Sequence, residues 1–116
     1  SATAKLYYDR GLVYVNLNKY NEAIVDLSKA LSLDNKMADA YNNRGIAYGN
    51  QERYSEAMRD FEQAVALKPD NAVYCKNLGI TYYKIKDYSK AVETLEKYLL
   101  LNPDDEEIIK LVKQIK

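Results

Sequence analysis

The chain has 116 residues, 47% of them hydrophobic, with 17 basic and 17 acidic residues and no histidine. That length suits one domain, burying about two-thirds of its unfolded surface. The balanced charge lacks the basic excess of a nucleic-acid binder, no apolar run reaches the roughly 18 residues of a membrane span, and the missing histidine removes the commonest general base and transition-metal ligand.

The first element expected is a helix pair over residues 4–37, and a 34-residue ruler carries it along the chain. Gly11 recurs as Gly45 and Gly79. Tyr14 recurs as Tyr48 and Tyr82, and Tyr20 as Tyr54 and Tyr88. Ala23, Ala57 and Ala91 form another column; so do Leu27, Phe61 and Leu95, and so do Leu33, Leu67 and Leu101. In the second unit, residues 38–71, one helix is predicted from about Asp39 to Asn50. Tyr41, Arg44, Gly45 and Tyr48 share one of its faces. Asn50-Gln51-Glu52-Arg53 is a polar turn, and a second helix follows from about Ser55 to Leu67, ending before Pro69.

A glycine inside a helix costs about 1 kcal/mol against alanine. Three in register imply close approach, and Ala23, Ala57 and Ala91 are the expected facing residues. The third unit, residues 72–105, keeps the ruler. A last amphipathic helix is predicted over about 104–116, with Ile108, Leu111, Val112 and Ile115 on one stripe. It should cap the apolar face of the last pair. The acids Asp104 to Glu107 suit the positive end of its dipole better than a cation site. Arg10 and Arg44 recur with Asp26 and Asp60, and both types change together in the third unit, to Leu78 and Thr94. This covariation predicts an ion pair between the helices of a unit.

These columns resemble the tetratricopeptide repeat. Counting Ala38 as position 1, the family pattern is met by Tyr41, Gly45, Tyr48, Ala57, Phe61, Ala64 and Pro69. Asn35 departs from it at the first proline, Cys75 at the third position-4 aromatic and Tyr98 at the third position-27 alanine. A ring at that close contact should either splay the pair or turn outward. The resemblance implies an all-α, right-handed superhelical solenoid of antiparallel helix pairs, seven helices in all, forming one domain. It also implies a concave groove lined by each unit's first helix, which binds a peptide or partner protein in an adaptor or scaffold role.

The implied groove positions place Lys5, Tyr8 and Leu12 in the first unit, Asn42, Asn43 and Ile46 in the second, and Lys76, Asn77, Ile80, Tyr83 and Lys84 in the third. A carboxamide can hold a peptide unit's C=O and N–H together. Asn43 and Asn77, with Asn42 beside them, could therefore grip an extended backbone, or be bonded within the repeat. Tyr8, Leu12, Ile46, Ile80 and Tyr83 make an apolar floor that suits a contact surface. Lys5, Lys76 and Lys84 could meet a carboxylate, or be an ordinary solvated face.

Family members that hold acidic chaperone tails use a five-residue clamp of Lys and Asn, Asn, then Lys and Arg. Those places hold Tyr8 and Leu12, Asn43, then Val73 and Asn77, so only Asn43 matches and the clamp is not expected. No nucleophile–base pair, phosphate loop or ligand cluster appears, so an enzyme, a cofactor and a metal are not expected. Two other readings stay open: self-assembly through an apolar strip or an uncovered N-terminal helix, and a regulatory arm of a larger enzyme. The single Cys75 fits a reducing compartment and no secretory pattern is visible. A cytoplasmic location is therefore expected, for what reads as an excised domain.

Overall fold

The computed structural model describes residues 1–116, an elongated molecule of 45 × 25 × 20 Å. Seven helices run in order: α1 Ala2–Asn16, α2 Tyr20–Leu33, α3 Ala38–Asn50, α4 Tyr54–Leu67, α5 Ala72–Lys84, α6 Tyr88–Leu101 and α7 Glu106–Ile115. There are no strands. Each helix packs on its neighbours in sequence, as short connections demand. The predicted helices of the second unit agree with α3 and α4 to within a residue.

The turn inside each pair is built the same way. Asn18, Glu52 and Lys86, spaced by 34, hold left-handed φ values of 60°, 60° and 67°. The amide after each donates to a tyrosine carbonyl five residues back: Lys19 to Tyr14 at 2.8 Å, Arg53 to Tyr48 and Asp87 to Tyr82 at 2.9 Å. This is the Schellman closure of a helix C-terminus. It reverses the chain without glycine, the residue that ordinarily signals it.

The glycine column allows close packing, but the alanines are not what faces it. A Cβ on Gly45 would lie 2.8 Å from Phe61 Cε1, and one on Gly11 would lie 2.7 Å from Leu27 Cγ. Leu95 blocks Gly79 in the same way. The large residues of the second helix therefore fill the space the glycines leave. Ala23, Ala57 and Ala91 are fully buried in the clusters alongside.

The Tyr98 ring does not turn outward. It is 3% exposed and packs with Cys75, Leu95, Ile108 and Val112. The earlier units place a tyrosine against a small residue at these positions, as Tyr41 packs near Ala64. In the third unit large and small have exchanged places, which conserves volume. Tyr98 donates to Asp105 Oδ2 at 2.5 Å and accepts from Asn102 at 3.0 Å, so its hydroxyl is satisfied.

The covarying charges form the expected pairs. Arg10 grips Asp26 with two bonds of 2.6 and 2.8 Å, and Arg44 grips Asp60 with two of 2.8 and 2.7 Å. Arg44 also donates to Ser28 of the preceding pair at 3.1 Å. The bond to Asp60 raises the Arg44 pKa. Burial pushes the Asp60 carboxyl up while Arg44 pulls it down. At the far end, α7 lies on α6 with Ile108 and Val112 buried, as the capping role requires.

Candidate functional site

The first helices of the pairs and α7 form one wall, because residues 34 apart in sequence fall side by side in a stack of like units. Between α3 and α5 lies an open pocket of about 310 Å³. Ile46, Phe61 and Ile80 supply its apolar surface, and Asn50, Asn77, Thr81 and Lys84 its polar rim. A second depression of about 410 Å³ lies between α5 and α7, lined by Ile80, Tyr83, Lys84, Ile108 and Leu111 with Glu107, Lys110 and Gln114. The two share Ile80 and Lys84 and so make one trough.

Of the residues singled out from sequence, the trough brings together Ile46, Asn77, Ile80, Tyr83 and Lys84. Tyr8 and Leu12 are half-buried on α1, outside both depressions. Tyr8 is close enough to Asp39 and Asp9 that they, after burial, raise its hydroxyl pKa. Asn42 does not face an open groove. It is 6% exposed, and its Oδ1 accepts an N–H from Asn77 at 2.9 Å. This bond across neighbouring units fixes the Asn77 amide plane and leaves its Oδ1 and second N–H. Asn43 donates one N–H to the Asp39 carbonyl one turn back at 2.8 Å, which likewise leaves an acceptor and a donor.

Most of the expected positive charge is already engaged. Lys5 pairs with Asp9 at 3.2 Å, one turn along α1. Lys76 pairs with Asp105 at 2.9 Å, and the carboxylate raises its pKa. Asp105 caps α7 through the Ile108 amide at 3.3 Å and also accepts from Tyr98, which ties α5, α6 and α7 together. Tyr98 and then Lys76 hold its carboxyl down at about 2. Among the three lysines named from sequence, only Lys84 stands outside an ion pair.

Sequence reasoning missed the contribution of α7. Glu107, Lys110, Leu111 and Gln114 stand 34 residues beyond Val73, Lys76, Asn77 and Ile80. They are the groove positions that the resemblance implies, carried one period further into the capping helix. Every buried side-chain oxygen and nitrogen has a partner, no group of acids and cysteine is placed to hold a metal ion, and no helix is long and apolar enough to cross a membrane.

A family profile described as tetratricopeptide repeat matches residues 50–115, and one described as TPR repeat matches residues 11–52. Among solved structures, the first TPR of Spaghetti (RPAP3), bound to the HSP90 peptide SRMEEVD, is similar with a TM-score of 0.91 and 25% identity. The match covers 99% of this chain and 91% of that one. The second TPR domain of human RPAP3, in complex with the HSP70 peptide SGPTIEEVD, gives 0.85 and 25%, covering 99% and 93%. A crystal structure of MamA gives 0.92 and 25%, covering 97% and 66%. No curated protein matched.

Proposed function

The chain belongs to the tetratricopeptide-repeat family, an all-α solenoid fold, and from that premise we propose that it is a binding module whose trough holds an extended segment of a partner protein, in an adaptor or scaffold role and not as a catalyst. The observation that carries this reading is the trough along α3, α5 and α7. Its apolar floor of Ile46, Ile80 and Leu111 adjoins the Asn77 amide, which is fixed in plane by Asn42 with a donor and an acceptor left over. Such an amide can pair with one peptide unit of an extended strand whatever that strand's side chains are.

The similar structures that hold chaperone peptides support peptide binding as a use of this fold. The residues here favour a different sequence in the trough. Tyr8, Leu12 and Val73 stand where the family's clamp for acidic tails would place charged or amide groups. The partner segment is therefore one with bulky apolar residues at alternate positions, seated on Ile46 and Ile80.

The test uses peptides selected from a random display library on this chain. Asn43→Ala/Asn77→Ala should weaken the selected peptides by about 1–3 kcal/mol per lost amide contact and leave the helical signal intact. Unchanged affinity in the folded double variant would remove the amides from the account. Selected peptides that lack apolar residues would remove the apolar floor.

A further inference from the structure

The outer face of α1 differs from its counterparts in α3 and α5. Leu6, Arg10, Val13 and Leu17 follow one helical stripe, at spacings of 4, 3 and 4. Leu6 is 69% exposed, Val13 54% and Leu17 58%. The same register holds Ala40, Arg44, Ala47 and Gln51 in α3, where α2 covers them: Arg44 bonds Ser28, and Gln51 bonds Asn21. It holds Tyr74, Leu78, Thr81 and Ile85 in α5, where the first three are buried beside α4. Thus the repeat itself shows that this face takes a helix, and in α1 it presents large apolar side chains to solvent. Beside Leu6 lies a hollow of about 430 Å³ walled by Thr3, Tyr7 and Arg10.

We propose that this face binds a second copy of the chain, α1 against α1 in antiparallel register about a twofold axis. Three observations favour that occupant. First, head-to-tail stacking is closed off. The α6 face that would receive another molecule's α1 is already covered by α7, whose own outer side carries Glu106, Lys110 and Lys113.

Second, the stripe is self-complementary. Residues whose numbers sum to 23 meet across an antiparallel pair centred between positions 11 and 12. Leu6 then meets Leu17 of the second copy, and Arg10 meets its Val13. Each Leu17 has the hollow beside Leu6 to enter, and no charge opposes its like. Third, Arg10 adds no uncompensated charge, because Asp26 holds its guanidinium through two bonds.

A symmetric pairing is the usual form of a homodimer. Tyr8 and Leu12 leave α1 on the opposite side from the stripe, so both troughs stay open. The dimer presents two grooves in one particle, and a partner with two segments gains by effective concentration.

Sedimentation velocity of the chain from about 1 µM to about 1 mM should show a monomer–dimer equilibrium with a dissociation constant on the order of 10–100 µM, as for a small interface. Leu6→Glu acts twice in a symmetric dimer and should raise that constant more than about tenfold. Leu6→Glu/Leu17→Lys places each new carboxylate against the partner's new ammonium and should restore dimerisation. The two positions lie too far apart on one helix to pair within a chain. A wild-type chain that stays monomeric throughout the range overturns the proposal, leaving the face to a helix of another kind. So does a dimer that Leu6→Glu leaves unchanged, or a double variant no better than the single. Circular dichroism on each variant, showing an unaltered helical signal, ties the readout to association.

Discussion

Removing Arg44 alone should be among the most damaging changes to the stack, and removing Asp60 with it should undo most of the damage. The side chain of Arg44 is 21% exposed and that of Asp60 5%. Two charge-assisted bonds of 2.7 and 2.8 Å join them. Arg44→Leu leaves a carboxylate buried with no cation, a loss of about 3–5 kcal/mol. Asp60→Thr in the same molecule removes the stranded charge, and the pair becomes the Leu78 and Thr94 combination that the third unit already uses. Exchanging a buried pair for fitting neutral residues is often close to neutral. The double variant should therefore fall within about 1–2 kcal/mol of wild type, giving a coupling of at least about 2 kcal/mol. The assay is urea unfolding followed by circular dichroism on wild type, both singles and the double. Additive losses would refute the reasoning, since they would mean that Asp60 is not held in its site by Arg44.

Gly45→Ala should destabilise by about 1–3 kcal/mol through the Phe61 ring, whereas Gly49→Ala, with nothing within 4 Å of its added Cβ, should stabilise by about 0.5–1 kcal/mol through helix propensity. Thermal unfolding of the two variants should move in opposite directions, and movement in the same direction would contradict the packing account. Glu52→Gly relieves a left-handed residue at φ 60° and should gain about 0.5–1 kcal/mol. A loss in urea unfolding would show that the turn draws on the Glu52 side chain. Asp105 has a carboxyl at about 2 in the folded chain, below the ordinary value near about 3.9. Its contribution is therefore present above about pH 4 and fades as pH falls from about 4 toward about 2. Asp105→Asn should flatten stability across that window, and a profile parallel to wild type there would contradict it.

The helical stack was legible from the sequence because a 34-residue ruler repeats the same spacing three times, so each column confirms the others. The Arg–Asp pairs were legible for the same reason, since the two types vanish together in the third unit. Three features were not. The left-handed turn residues are Asn18, Glu52 and Lys86, of which only asparagine commonly adopts that conformation; the strain is outweighed by the closure around it. The inward Tyr98 depends on the small Cys75 across from it, a pairwise volume exchange that single-column reading judges as two separate departures. The residues named for the groove lie on α1, α3 and α5, but the neighbours their side chains meet were not legible. Asn42 turns toward Asn77 and Lys76 toward Asp105, because an amide or ammonium beside a complementary group binds it before it binds solvent. Spacing shows which face a side chain leaves from and not which neighbour it meets.

The most direct measurement of the central claim is the footprint of a bound segment. Side-chain and backbone amide shifts of the labelled chain, titrated with a library-selected peptide, should move at Asn77, Ile46, Ile80, Tyr83 and Lys84 and reach Lys110 and Leu111 on α7. Shifts confined to the opposite helices α2, α4 and α6, with those seven residues unmoved, would contradict it.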